Sequence, residues 1–295
     1  LINRNNIFLF MCLNNFNIFN HYMNSCYLFK EYIYDDPLLS NVDATYIIHL
    51  EENGRLQNIE DQLEKYHPSK KVYILFNKGY KKCKKEEYID SPSKDLIDAF
   101  YTIFKDAHNK QYNNIIILED DFIFDNKIND KNHRQNIDDF LADNHSDTFV
   151  YYLGAITYLQ SGLNETNTRL YFSTGTHACI YSKKCIDYFL DKVDQKSITD
   201  WDVFLNFGSI PRYKYHTPVC YQTFPDTDNS RGWHRDSTFL WILVFIQRSI
   251  FKLLYLDTQC EFGFNTFELI SRILFWIILF VIFYTIYKFM FNKQK

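Results

Sequence analysis

An α/β domain followed by one membrane-spanning helix is the architecture that this sequence predicts. Three observations point to it. Short apolar, β-branched runs alternate with stretches whose apolar residues recur at helical spacing. One of those runs ends in three consecutive carboxylates, Glu119-Asp120-Asp121. Near the C-terminus, Ile273 to Tyr287 contains no charged residue.

The elements follow in order. Ala44 to Leu50 (ATYIIHL) reads as a strand. Leu56, Ile59, Leu63 and Tyr66 then mark one helix face, which His67-Pro68 ends. Lys71 to Phe76 is a second strand, and Asp95 to Ala107 a helix entered through Ser91-Pro92-Ser93. Asn114 to Leu118 is a third strand, apolar on both faces. Such strands, separated by amphipathic helices, predict a mainly parallel sheet covered on both sides.

The ends differ from this domain. Residues 1–40 form a poorly defined segment, with eight Asn in the first 24 positions, one early cation at Arg4 and no small-residue cleavage site. No function is expected of it, and since the chain begins with Leu, part of it need not belong to the native product. The folded domain is expected over 41–237, an interfacial or packing helix over 238–268, and the transmembrane helix over 269–292. About 19 apolar residues rising 1.5 Å each span roughly 28 Å, close to the hydrocarbon thickness. The alternative is a buried core helix. Arg248, Lys252 and Arg272 lie before the span and Lys288, Lys293 and Lys295 at its far end, so basic residues do not set the orientation. The simplest arrangement leaves the domain in the cytosol. The sequons at Asn144 and Asn164 matter only if it is luminal.

Composition excludes several classes. Lys plus Arg total 32 against 36 acidic residues, which argues against a nucleic-acid partner. Hydrophobic residues make up 46% of the chain, enough to build a core. Seven Cys stand without a CxxC pair or zinc spacing, which favours a reduced compartment.

Glu119-Asp120-Asp121 is the most informative segment. Carboxylates crowded at the carboxyl end of an interior strand repel one another unless a cation or hydrogen-bond donors neutralise them. Ligands bind at that end of open α/β sheets. Hard oxygen donors suit Mg²⁺ or Mn²⁺, which bridge to a diphosphate. A solvated acidic turn or a helix cap is the alternative. The residues alone indicate a divalent metal with a nucleotide.

Ile-Leu-Glu-Asp-Asp (117–121) also resembles the I-L-E-D-D element of family 25 glycosyltransferases, which include lipooligosaccharide and procollagen galactosyltransferases. Tyr46 to Leu56 resembles the opening Y-V-I-N-L-D-R-x-x-D-R-L of that family, one residue shorter and with His49 in place of Asn. Tyr152-Leu-Gly154 looks like its L-L-L-G strand, and Gly175 to Lys184 is similar to G-T-H-A-Y-I-I-S-R-K. Asp200-Trp-Asp202 follows in place, and Pro218 to Gln222 resembles the closing P-x-x-x-Q. The likeness covers about residues 44 to 230. It departs where Ser93 to Leu96 replaces G-C-x-x-S-H, and where the first loop keeps Arg55 as its one cation.

The resemblance implies a GT-A fold and inverting, metal-dependent transfer of a hexose, galactose or glucose, from a UDP-sugar to a glycan or protein hydroxyl. Asp121 would ligate Mn²⁺ (or Mg²⁺), with Asp120 as ribose or metal partner and Glu119 behind it. Arg55 would pair with phosphate, or else make a surface salt bridge. Asp202, or else Asp200, would be the base, although either also suits a helix N-cap. His177 would line the site, and a late His, His216 or His234, would complete the metal. Trp201 would stack on the acceptor or pack in the core. A degenerate relative that binds glycan or nucleotide without turnover, and a membrane scaffold, are the competing readings.

Overall fold

A computed structural model describes residues 26–223, 245–246, 249–256 and 260–292. Nine strands form one mixed sheet in the order β1-β3-β2-β4-β9-β6-β10-β8-β7. They are β1 (Tyr27–Ile33), β2 (Ala44–Leu50), β3 (Lys71–Asn77), β4 (Asn114–Glu119), β6 (Val150–Tyr152), β7 (Ile156–Gly162), β8 (Asn167–Thr174), β9 (Ala178–Ser182) and β10 (Arg212–Tyr215). A two-stranded ribbon pairs β5 (Phe122–Phe124) with β11 (Cys220–Gln222). The helices are α1 (Leu56–Lys65), α2 (Pro92–Asn109), α3 (Lys131–Asp143), α4 (Lys183–Lys192), α5 (Trp201–Phe207) and α6 (Cys260–Asn292).

The N-terminal half follows the sequence reading closely. β2 pairs in parallel with both β3 and β4, as crossover helices require. Ser91 caps α2 by accepting from the Lys94 amide, and Pro92 fills a first-turn position where no N–H is needed. Two apolar layers cover the sheet. One holds Phe100, Phe104, Tyr181, Phe189 and Trp201, the other Ile47, Ile116, Tyr151 and Phe140.

The expectation of a mainly parallel sheet needs correction. β9 lies antiparallel between β4 and β6, and β7 and β8 form an antiparallel hairpin. The reason is local: β7 connects to β8 through four residues, too few for a crossover helix. The sheet also begins earlier than residue 41. β1 pairs antiparallel with β3 over seven residues, inside the segment of which no function was expected.

The cysteine expectation is corrected as well. Cys26 is bonded to Cys83, tying the start of β1 to the loop after β3, while Cys179, Cys185 and Cys220 are buried free thiols. Cys83→Ser should cost about 2–4 kcal/mol of stability, measured by urea unfolding under oxidising conditions.

The C-terminal helix starts nine residues before the expected span. α6 runs unbroken from Cys260 to Asn292, and its portion from Glu261 to Phe289 is long and apolar enough to cross a membrane. Its first turns pack on the domain through Phe264 and Phe267.

Candidate active site

β4 delivers Glu119 at its last position, and the chain turns at Asp120-Asp121 before β5. Successive side chains at this turn reach different partners, so the three carboxylates do different things.

Asp120 faces the loop after β2. Its Oδ1 accepts from Arg55 Nη1 at 2.6 Å, and its Oδ2 accepts from the Leu50 amide at 3.3 Å and from Asn53 Nδ2. His49 Nδ1 stands 3.5 Å from the same oxygen. Burial pushes this carboxyl upward, but the proximity of His49, the charge and hydrogen bond of Arg55 and the hydrogen bond of Asn53 outweigh it, and its pKa falls below the ordinary value. Both oxygens are thus engaged within the protein. Arg55, at the N-cap of α1, is the salt-bridge partner of Asp120.

Asp121 faces the ribbon. Gln222 Nε2 donates to its Oδ2 at 3.0 Å, and Thr223 N donates to its main-chain oxygen at 3.1 Å. Its Oδ1 is buried without a hydrogen-bond partner among the described residues. Burial and then the Asp120 charge push the Asp121 pKa up to about 6.

Glu119 is partly exposed and accepts from Thr176 Oγ1 at 3.1 Å, while its amide donates to the His177 carbonyl at 3.0 Å. Burial, then the charges of Asp121 and Asp202, raise its pKa well above the carboxylate range. Asp202 reaches the same Gly-Thr-His segment from α5, its Oδ2 accepting from the Gly175 amide at 3.2 Å. Burial and the neighbouring Asp200 push Asp202 up to about 7. Glu119, Asp121 and Asp202 therefore come together electrostatically from three elements.

Asp200 does not join them in this role. It is the N-cap of α5, accepting from the Val203 amide at 2.9 Å. The two open readings at Asp200-Trp-Asp202 thus separate: the cap is Asp200, and the inward carboxylate is Asp202. Trp201 is core. It is 3% exposed, stacks on Phe100 with centroids 4.9 Å apart and donates to the Tyr181 hydroxyl.

His177 is fully buried, with Nε2 donating to the Cys220 carbonyl at 3.3 Å. Desolvation lowers its pKa to about 4, so the ring is neutral near pH 7. His216 sits elsewhere, against Tyr215, with Arg272, Lys214 and His133 as its charged neighbours. His234 lies outside the described residues.

Two glycines shape the site. Gly175 adopts φ +89°, in the region that favours glycine. A Cβ on Gly154 would fall 1.8 Å from the Cys220 carbonyl oxygen, so β6 and β11 meet here only because residue 154 has no side chain. Gly154→Ala should cost about 3 kcal/mol, read by denaturant unfolding, as β11 is forced away. The same displacement loosens Gln222 from Asp121.

Among the described residues no group of three or more His, Cys, Asp or Glu forms a ready-made cage. Mg²⁺-type sites commonly use one or two carboxylates, with substrate phosphates and water completing the shell. The orphaned Asp121 Oδ1 is suited to that role, with Glu119 beside it; Asp120, held by Arg55 and Asn53, is not free to serve. Asn53, Thr176 and Gln222, which hold the three acids, were given no roles by the sequence. Gln222 stood only as the last residue of the closing element, Thr176 only within the Gly-Thr-His element and Asn53 only within the opening one. The segment Ser93 to Leu96 is structural: Ser93 Oγ donates to the Thr199 carbonyl at 2.5 Å, and Asp95 is paired with Lys85. A separate cavity of about 650 Å³, lined by Tyr66, Phe124, Asp125, Tyr221 and Glu261, includes none of the three acids.

No protein-family profile matches the chain. No curated protein matches it either. Among solved structures it resembles A197 from STIV, with TM-score 0.38 and 11% identity over 63% of this chain and 87% of the other. It also resembles a glycosyltransferase involved in the glycosylation of the major capsid of PBCV-1, with TM-score 0.35 and 9% identity over 57% of this chain and 76% of that one. Likenesses this distant assign neither family nor activity.

Proposed function

We propose that the chain is a metal-dependent, inverting glycosyltransferase that moves a hexose, galactose or glucose, from a UDP-sugar to a hydroxyl of a glycan or glycoprotein. One observation carries this reading: Glu119, Asp121 and Asp202 gather at the carboxyl end of β4, and Asp121 Oδ1 has no hydrogen-bond partner among the described residues. A Mn²⁺ or Mg²⁺ ion bound there would neutralise charge developing on the departing diphosphate.

The protein's own residues account for the rest. Asp121, oriented by Gln222, holds the ion, and Glu119 supports it from the Thr176 side. The Asp120–Arg55 pair pins the loop after β2 as a wall for the nucleotide. The acceptor oxygen attacks the anomeric carbon from the face opposite the diphosphate, and the bond to the phosphate oxygen breaks with its electron pair leaving on UDP. The acceptor proton passes to Asp202, whose elevated pKa near 7 suits a base at neutral pH. His177, the last residue of the Gly-Thr-His segment, stays neutral and holds β11 through the Cys220 carbonyl.

In the same proposal the domain lies on the non-cytosolic side of the membrane, not in the cytosol as the sequence suggests. The Cys26–Cys83 bond supports this, because disulfides persist mainly in oxidising compartments.

The test is UDP release by the purified chain from UDP-galactose, UDP-glucose and UDP-N-acetylglucosamine, with acceptor glycans, with and without EDTA. Transfer abolished by EDTA and restored by Mn²⁺ is the expected result. Transfer indifferent to EDTA contradicts the metal role, and Mn²⁺-dependent UDP binding without release from any donor marks a binding protein instead.

A further inference from the structure

The first turns of α6 lie along the β7–β8 hairpin. Phe264 meets His177 and Tyr221, Phe267 meets Tyr158, and Ser271 Oγ accepts from Gln160 Nε2 at 2.7 Å. Phe275 stacks on Tyr171 with centroids 6.1 Å apart and planes 4° from parallel. These contacts advance along β7 in the same sense as along the helix, so the hairpin points towards the uncharged run Ile273 to Tyr287. From Trp276 onward nearly every described side chain of α6 is exposed.

Beside Phe275 the surface of the domain is itself apolar. Leu163, Tyr171 and Phe172 are exposed on the hairpin, and Val203 and Phe207 on α5, the last at 81%. The Phe172 ring lies 6.5 Å from Phe207 and 5.5 Å from Tyr158, which in turn packs on Phe267. The patch therefore runs from α5 across β8 to the helix without a break. Exposed apolar surface of this kind marks a contact site, and aromatic rings favour the interfacial layer of a bilayer. The charges nearby are placed for such a layer. Glu268 is paired with both Lys214 and Arg272, and Glu165 stands exposed at the hairpin tip.

We propose that Leu163, Tyr171, Phe172, Val203 and Phe207 rest in the interfacial layer of the bilayer that α6 crosses, so that the domain docks on the membrane through its β8–α5 surface as well as through the helix. The occupant follows from continuity: the patch adjoins the helix at the level where its charged residues end. The nine steps from Phe264 to Ile273 rise about 14 Å. His177 and Tyr221, which Phe264 touches, are thereby held close to the membrane surface. The docking does not depend on the glycosyl-transfer reading.

The experiment uses the full chain reconstituted in phosphatidylcholine vesicles. Phe207→Cys is labelled with an environment-sensitive fluorophore, Glu64→Cys on the exposed side of α1 is the control, and the labelled parent chain supplies the background of native thiols. Position 207 should show blue-shifted emission that brominated acyl chains quench, with neither effect at position 64. Phe172→Cys provides the same readout should the first variant unfold, which thermal melting checks. Water-like, unquenched emission at both 207 and 172 overturns the proposal. So does a blue shift that depends on protein concentration and ignores bromine, which would mark a second copy of the chain. Failure of the chain to float with vesicles overturns it too. None of these readouts involves sugar transfer, so an inactive protein that docks leaves the inference standing, and an active one that does not dock removes it alone.

Discussion

Asp202→Asn lowers the rate of sugar transfer by about 10²–10⁴-fold, the usual contribution of a positioned base, while UDP binding in the presence of Mn²⁺ is retained. The substitution is nearly isosteric, and the amide oxygen can still accept from Gly175, so the α5 contact survives. What is lost is the proton acceptor. The parent rate should rise with pH through about 7, because the base works only when deprotonated, and this limb should vanish in the variant. Stability has the opposite sign. The native carboxyl keeps a proton up to about 7 that the unfolded chain releases near the ordinary Asp value. Its contribution is therefore complete at low pH and disappears as pH rises through about 7. Asp202→Asn should flatten that part of the melting-temperature profile of the metal-free protein. Unchanged transfer in this variant would remove Asp202 from the mechanism.

Asp121→Asn abolishes the rise in melting temperature that Mn²⁺ produces in the parent protein, and lowers transfer on the order of 10³-fold. The amide preserves the shape of the side chain, and its oxygen can still accept from Gln222. What disappears is the anionic oxygen that no group among the described residues satisfies. Ligation requires the deprotonated carboxylate, and burial and Asp120 place its pKa near 6. Metal-induced stabilisation of the parent should consequently weaken as pH falls through about 6. The thermal shift is independent of turnover, so it separates loss of metal from loss of base. A full Mn²⁺ shift in Asp121→Asn would move the ion away from this carboxylate.

Much of the site's backbone was legible because its signals are local. β2, β3 and β4 are apolar runs bounded by polar residues, and their limits fall within a residue or so of those read from the sequence. The acidic turn followed directly from the end of β4. What was not legible depends on distant pairing. Asp120 is engaged by Arg55, 65 positions earlier, and Asp121 by Gln222, 101 positions later, and no local pattern records either contact. β1 was hidden by the Asn-rich segment before it, although its alternating exposure is that of an edge strand. The Cys26–Cys83 partnership likewise joins residues with no motif between them. At Asp200-Trp-Asp202 the sequence favoured Asp202 over Asp200 as the base but left either as a helix cap, and the start of α5 decides that Asp200 caps the helix while Asp202 turns inward.

β1 is the outermost strand of the sheet, and directly behind it β3 carries Val72, Ile74 and Leu75, all without solvent exposure. Lys30 and Glu31 give β1 a charged outer border of the kind that discourages chain-to-chain strand addition. Were the bridge to Cys83 reduced, fraying of those seven residues would leave Lys-Val-Tyr-Ile-Leu-Phe-Asn as a bare, proline-free template. Redox loss at one bond would then be felt less as slow unfolding than as self-association, with the guard strand gone before the carboxylates have moved.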